Sequence, residues 1–300
     1  MMKNLLLLVA LSLPTLVFAQ TTSDDSLGLA IAPGLTPVIA NNQTEIGLFN
    51  TFVTYRTDDA NEYRAAQLTN FLQFQRGMSR QNRLSAGVDL AFSNLRFGPA
   101  SEVAPFAALG ATPEFGFATH TLSAVGLRVR YVPFLDHYEF TVQSSLYFPV
   151  STQDNRVILG EDRTRFSVQG NYATLFAAGW YVVGQVSPQV RISNKDRKQT
   201  SWELPLNAYL IRRILTTEYG QRLYVFVNAG YFSSFEKRYK GGLRQVNWLY
   251  SAGAGAQWVF GPQWSLSLGW QGLPVFDETI GVEKGTYGAL SVGARYIGLR

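Results

Sequence analysis

The 300-residue chain contains no cysteine, only 2 histidines and few charges, because Asp, Glu, Lys and Arg together make up 16% of it. The absence of cysteine excludes disulfides, thiolate metal sites, a cysteine nucleophile and a lipid-modified cysteine. The charged fraction is well below the roughly 25% that is usual in soluble domains. Aromatic residues (14%) and 27 glycines are plentiful, which argues against disorder. This composition favours a β protein with an apolar outer surface over a cytosolic enzyme.

The first 19 residues have the pattern of a secretory signal peptide. Lys3 gives a basic start, an apolar run follows, and Val17 and Ala19 stand at −3 and −1 of a cleavage site. The apolar run is much shorter than the about 20 residues of a membrane-spanning helix, and no later stretch is long enough either. We therefore expect an exported chain with three parts: a signal peptide at 1–19, a periplasmic segment at 20–43 and a barrel at 44–300.

After these N-terminal parts, apolar and polar residues alternate in segments of about ten residues, which is the signature of strands in a membrane β-barrel. Phe140 and Val142, for example, face one side, whereas Thr141 and Gln143 face the other. The sequence predicts twelve such segments, at 44–56, 66–76, 83–93, 121–131, 138–150, 164–176, 180–193, 201–213, 222–233, 246–260, 263–273 and 286–298. The segment 164–176 is also compatible with a short helix.

The links between these segments alternate in length. The long links are 57–65, 94–120, 151–163, 194–200, 234–245 and 274–285, and those between them are short. Bacterial barrels have long external loops, short periplasmic turns and an even strand number. The sequence therefore predicts an all-β fold, a transmembrane antiparallel up-and-down β-barrel of about 12 strands. A soluble β-sandwich, the competing fold, gives no reason for this alternation.

All six tryptophans have the outward parity and lie near predicted strand ends. Trp202, Trp248 and Trp270 lie at the ends next to long links, and Trp180, Trp258 and Trp264 at the ends next to short ones. Membrane barrels have aromatic girdles at both interfaces. The core of a soluble sandwich would not confine tryptophan to strand ends, so this distribution favours the membrane barrel.

The chain resembles the outer-membrane β-barrel proteins of Bacteroidetes-type bacteria, a group of uncharacterised function. The resemblance lies in the signal peptide ending FAQ, in TPVIANNQTEIGLFNTFVTYR at 36–56 and in the closing strand ALSVGARYIGL at 289–299. It implies the outer membrane of a Gram-negative cell, with outer-membrane lipid, lipopolysaccharide and the barrel-assembly machinery as partners. The commoner terminal aromatic is absent, because the chain ends in Leu299 and Arg300, and Tyr296 is the nearest aromatic residue.

Motifs for chemistry are missing from the sequence. His120 and His137 belong to opposite ends of the predicted barrel and cannot share a metal. Barrel phospholipases, which this chain resembles in size and strand number, use a His-x-Ser-Asn-Gly constellation, whereas Thr121, Leu122 and Ser123 follow His120 here. We therefore predict no enzyme activity and no catalytic, cofactor-binding or metal-binding residue. No basic stripe indicates nucleic-acid binding.

Charged residues on the inward face are the candidate functional groups. These lumen charge candidates are Arg83, Asp89, Arg128, Arg130, Glu139, Arg191, Glu203 and Arg295. Arg165 and Arg222 have the same parity, and a tight hairpin between the fourth and fifth strands would place Arg130 opposite Glu139. One hypothesis is a basic lumen that attracts anions, with Arg128 and Arg130 as its main groups. The other is a lumen filled by arginine–carboxylate pairs that stabilise the barrel.

Two apolar segments, 28–40 and 98–118, either enter the lumen as a plug or pack on neighbouring loops. Twelve strands are intermediate between eight-stranded barrels, which side chains fill, and sixteen-stranded ones, which leave a channel. We therefore predict porin-like passage of small solutes, with anions favoured. The alternative is a non-conducting structural or partner-binding barrel of the cell envelope, and the sequence leaves both open.

Overall fold

A computed structural model describes most of the chain. The described residues are 38–57, 62–109, 116–134, 137, 139–159, 163–193, 200–238, 241–261, 263–275 and 285–298. The predicted signal peptide and most of the segment that follows it lie outside these residues, so both stay predictions. No helix in the described ranges is both long and apolar enough to cross a membrane.

Each predicted segment corresponds to a strand of the structure. The strands are β1 Thr44–Thr57, β2 Tyr63–Gly77, β3 Leu84–Pro99, β4 Phe117–Tyr131, β5 Phe140–Pro149, β6 Arg163–Ala177, β7 Trp180–Val186, β8 Gln189–Ser193, β9 Ser201–Thr216, β10 Arg222–Arg238, β11 Gly241–Phe260, β12 Trp264–Val275 and β13 Gly285–Gly298. The segment 164–176 is strand, so its helical alternative is wrong. The predicted long link 234–245 is also wrong, because β10 and β11 extend through most of it.

The strands form a closed barrel. Every strand pairs antiparallel with its neighbours, β13 pairs with β1, and β9 pairs with β10. Strands β7 and β8 are two halves of one strand, since both pair with β6 and β9. Pro188 lies in the gap between them and has no N–H to donate, which explains the break. The barrel therefore has 12 strands, and the predicted fold is confirmed.

Apolar side chains cover the outside of the barrel and polar ones fill much of its inside. Leu127 is 53% exposed whereas its neighbour Arg128 is 2% exposed, and Val227 is 53% exposed beside buried Phe226. Successive side chains of a strand point to opposite faces, so the alternation in the sequence becomes an outer and an inner surface. Exposed apolar side chains around a polar interior are the reverse of a soluble protein and are typical of a barrel in lipid.

The first part of the long link between β3 and β4 packs on the outside of the barrel. The Arg64 guanidinium donates a hydrogen bond of 2.7 Å to the Val103 carbonyl, and the rings of Phe106 and Phe52 lie 5.8 Å apart, edge to face. Arg64 and Phe52 belong to the outward-facing set of β2 and β1. Within its described residues, 100–109, this link therefore lies against the outer wall and does not enter the lumen.

Residues 38–43 lie along the inner wall at one end of the lumen. We call this end, where β1 begins and β13 finishes, the terminal end of the barrel, and the opposite one the far end. Asn42 donates its N–H to the Gly77 carbonyl at 3.1 Å, and Ile39 is buried. Gly77 faces inward, and a Cβ at this position would collide with the Ala40 carbonyl. The chain thus comes so close to the inner wall that only glycine fits.

Candidate functional site

The half of the lumen nearest the terminal end is filled with side chains. Each of the twelve strands contributes at least one inward side chain that is less than 9% exposed. Twelve of these buried residues, one from each strand, are Glu45, Gln75, Ser85, Arg130, Gln143, Asn171, Tyr181, Ile211, Tyr224, Gln257, Ser265 and Arg295. We call these residues the packed layer. In a wide water-filled channel these side chains would be exposed to solvent, so the lumen is closed at this level in the structure.

One side of the packed layer joins a network of charges and hydrogen bonds. The Arg128 guanidinium donates to one Asp89 carboxylate oxygen through Nε at 3.0 Å and through Nη2 at 2.8 Å. The Tyr147 hydroxyl donates to the same oxygen at 2.8 Å and accepts from Arg128 at 3.0 Å. Arg130 donates to the Gln143 amide oxygen at 3.0 and 3.2 Å. These charges are paired or hydrogen-bonded, as buried charges must be.

A second ion pair joins the first and last strands of the barrel. Arg295 Nη2 lies 2.9 Å from Glu45 Oε2, and the two side chains are 4% and 0% exposed. Because β1 and β13 are paired along their length, this contact stabilises the seam where the sheet closes. Glu45 was not among the sequence-based candidates. Its inward parity in the segment 44–56 is the signal that could have found it.

The opposite side of the packed layer is an aromatic cluster on β7, β9 and β10. The rings of Tyr181 and Tyr224 lie 6.1 Å apart and those of Tyr209 and Phe226 lie 6.2 Å apart, both edge to face. Ile211 is fully buried among them. A polar network and an aromatic cluster therefore meet across the lumen.

A row of neutral amides crosses the lumen wall near mid-height. Thr141, Asn171, Gln185 and Asn207 lie directly opposite one another on β5, β6, β7 and β9. Asn207 donates to Gln185 at 2.8 Å, Gln185 to Asn171 at 3.3 Å, and Asn171 to Thr141 at 3.3 Å. These neutral residues are not among the sequence-based candidates, although the parity of the strands places them inward.

The far half of the lumen contains partly exposed arginines. Arg191 pairs with Glu203, with Nε 2.7 Å from Oε1, and Arg163 donates to the Ser201 hydroxyl at 2.9 Å. The Arg165 guanidinium lies over the Tyr147 ring, 4.6 Å from its centroid. These three arginines are therefore more exposed to solvent than the side chains of the packed layer.

Two sequence-based candidates lie elsewhere. Glu139 precedes β5, and its carboxylate is 4.0 Å from His137 Nδ1 in the link. It does not face Arg130, because the link between β4 and β5 is longer than a tight hairpin and Arg130 pairs with Gln143 instead. Arg83 precedes β3 and donates to the Val132 carbonyl at 2.9 Å, which anchors that same link. The predicted contact between Arg130 and Glu139 is therefore wrong, and both Glu139 and Arg83 lie next to the link at the terminal end.

The tryptophans confirm the predicted outward parity. Trp264 stacks near Tyr296 with ring centroids 4.7 Å apart, and Trp258 stacks on Phe260 at 4.5 Å. Towards the far end, Trp202 and Trp270 are about half exposed, at 47% and 57%. Aromatic rings at both ends of an apolar outer band suit the two interfaces of a membrane.

Within the described residues, no group of histidine, cysteine, aspartate or glutamate side chains could hold a metal ion. The short helix Gln153–Leu159 approaches the lumen at the far end, where the Thr119 hydroxyl donates to Asn155 Oδ1 at 2.7 Å.

Comparison with known proteins identifies the architecture. No protein-family model matches the chain, and no curated protein does. An outer membrane channel from Pseudomonas putida F1 matches 89% of this chain and 100% of its own, with a TM-score of 0.59 and 12% identity. The beta domain of the Bordetella autotransporter BrkA matches 84% of this chain and 99% of its own, with a TM-score of 0.56 and 14% identity.

The translocator domain of the autotransporter NalP from Neisseria meningitidis matches 89% of this chain and 92% of its own, with a TM-score of 0.51 and 10% identity. The chain has the fold of a bacterial outer-membrane β-barrel. At these identities, the likeness establishes the fold alone. The function of this barrel must be argued from its own lumen.

Proposed function

We propose that this protein lies in the outer membrane of a Gram-negative cell and passes small solutes through its lumen. The terminal end faces the periplasm in this proposal, since bacterial barrels keep both termini on that side. The barrel takes up solute through the partly exposed far half. Passage requires the packed layer to move aside, so the barrel is a gated or narrow pathway and not a wide pore.

The observation that supports this proposal is the contrast between the two halves of the lumen. The far half presents the partly exposed side chains of Arg163, Arg165 and Arg191, as a solute pathway requires. The packed layer consists of side chains held by contacts between strands, and residues 38–43 lie against the inner wall at the same end. Side chains exchange rotamers much faster than a barrel wall unfolds, so a side-chain layer can open without loss of the fold.

Single-channel recording in planar bilayers tests the proposal. We expect the wild-type barrel to give small or infrequent current steps, and Tyr224→Ala, which removes an aromatic ring from the packed layer, to give larger or more frequent ones. Val225→Ala is the matched control, because the neighbouring side chain points outward and is 37% exposed. It should leave the current unchanged.

The packed layer also favours the second candidate function, a non-conducting barrel of the envelope. If the wild-type protein gives no steps at any voltage while folded barrel is shown to be inserted, solute passage is wrong and this alternative stands. Steps that Tyr224→Ala leaves unchanged would show that the pathway avoids the packed layer.

A further inference from the structure

The far half of the lumen contains two arginines placed directly opposite each other. Arg165 on β6 and Arg191 on β8 are register partners and both have the inward parity. Like charges at directly opposed positions of an antiparallel pair destabilise a sheet. A fold keeps such a pair at low cost only where a counter-charge is supplied.

Among the described residues, the two lumenal carboxylates next to this pair are already bound. Glu203 is bound by Arg191 at 2.7 and 3.1 Å and also accepts a hydrogen bond from the Gln189 amide. Asp89, the acid beyond Tyr147, is bound by Arg128 at 2.8 Å. Each of these two carboxylates therefore already has an arginine of its own.

Arg165 differs from Arg191 and Arg128 in its lack of a bound carboxylate among the described residues. Within the described part of the chain, no carboxylate forms a salt bridge with it, and its neighbours in the register are Tyr147 on one side and Arg191 on the other. Continuing along this row, the next acid is Glu236, three strands away. Strand spacing puts this acid about 14 Å from Arg165.

The side chains around Arg165 place its guanidinium in a position suited to bind an anion. The Arg165 guanidinium lies over the Tyr147 ring, and its N–H groups donate no hydrogen bond to a residue that the structure describes. Arg163, one inward position further towards the far end, adds a third positive charge, and its side chain donates to Ser201. All three arginines are partly exposed, unlike Arg128 and Arg130 in the packed half.

We propose that Arg165 and Arg191, with Arg163 beside them, form a lumenal binding site for the oxyanion group of a small solute, a carboxylate or a phosphate. Two guanidinium groups can present parallel N–H donors to such a group, which gives bidentate hydrogen bonds. The site rests on the proposed function to the extent that the solute enters from the far end. In this proposal Arg165 and Arg191 attract the anion. Arg128 and Arg130, the residues predicted from the sequence for this role, are buried and engaged by Asp89 and Gln143.

Calorimetric titration of the folded barrel in detergent tests the site, with inorganic phosphate and citrate as probes. We expect saturable binding to the wild type and at least about tenfold weaker binding to Arg165→Gln, because the variant loses charge-assisted hydrogen bonds to the anion. Arg165→Lys should restore part of the affinity, since it keeps the charge but not the planar fork. Heat-dependent gel mobility verifies that each variant is folded.

Arg212→Gln is the matched control. The Arg212 guanidinium also stacks on an aromatic ring, 5.0 Å from the centroid of Trp180, but both residues lie on the outer face of the barrel. Its substitution should leave probe binding unchanged. Equal affinity in Arg165→Gln and wild type, or no saturable binding to the wild type, would overturn the site.

Bilayer recordings separate this site from the proposed function. If phosphate binds but no current is seen, the proposal of solute passage is wrong, whereas the proposed oxyanion site stands. If the barrel conducts and Arg165→Gln leaves its anion preference unchanged, the proposed oxyanion site is wrong, whereas solute passage stands.

Discussion

At the residue scale, buried charge is the main feature of this barrel. Four charged side chains of the lumen, Asp89, Arg128, Glu45 and Arg295, are at most 4% exposed and form two ion pairs. Removing one partner from a buried pair leaves an uncompensated charge, which costs far more than the pair contributes at a surface. The lumen pairs therefore depend strongly on both partners.

The pair that joins β1 to β13 gives a direct prediction. Glu45→Gln leaves the buried Arg295 without its carboxylate and should lower the free energy of unfolding by about 3–5 kcal/mol. Glu62→Gln is the control, because the Arg56–Glu62 pair is exposed at 40% and 49%. It should cost no more than about 1 kcal/mol. Urea unfolding in lipid vesicles measures both, and equal losses would mean that Glu45 is not a buried partner.

The glycine at the close approach of residues 38–43 gives a second prediction at this scale. Gly77→Ala forces a Cβ against the Ala40 carbonyl, so we expect residues 38–43 to leave the lumen wall and become sensitive to protease. Gly184→Ala is the control, since a Cβ there meets no atom within 4 Å. Protection of the segment in Gly77→Ala at the wild-type level would contradict the packing described above.

At the scale of the strand, the outward and inward faces differ in polarity. Val227 and Asn228 are neighbours on β10, but Val227 is exposed to the outside and Asn228 faces the lumen. A sequence neighbour therefore serves as a control for burial in lipid at the same membrane depth.

Arginine substitutions on this strand should separate the faces. Val227→Arg puts a charge into the middle of the lipid-facing band and should cost about 2–4 kcal/mol, whereas Asn228→Arg stays in a polar lumen and should cost clearly less. The folded yield, measured as a heat-dependent gel shift after assembly, reports the difference. Equal yields would speak against lipid around β10.

At the scale of the whole molecule, orientation is the property with the widest consequences. The link between β3 and β4 and the turn between β9 and β10 lie at opposite ends of the barrel. Because the native chain has no cysteine, a single introduced cysteine labels without background.

Cysteine labelling measures this orientation. With Ala104→Cys, an impermeant maleimide should label intact cells, because the residue is exposed in the link at the far end. With Tyr219→Cys, whose native side chain is 87% exposed in the opposite turn, labelling should require permeabilised cells. The reverse pattern would place the proposed oxyanion site towards the periplasm.

Much of the fold could be predicted from alternation, but the partners in the lumen could not. Arg128, Arg191, Glu203 and Arg295 face inward as predicted, since parity is a local property of each strand. The predicted partner of Arg130, Glu139, is wrong and the observed one is Gln143, because the offset between β4 and β5 is not set by alternation. An error of four residues in that offset keeps every parity and changes every partner.

The sequence by itself therefore determined the strands, their inner and outer faces, the aromatic belts and the absence of a recognisable catalytic motif. These follow from the two-residue period of a strand and from the apolar surface that lipid requires. Only the tertiary structure decided that the terminal half of the lumen is filled and that Arg165 faces Arg191 with no salt-bridged carboxylate among the described residues. Both depend on the register and closure of twelve strands, which bring together residues that lie far apart along the chain.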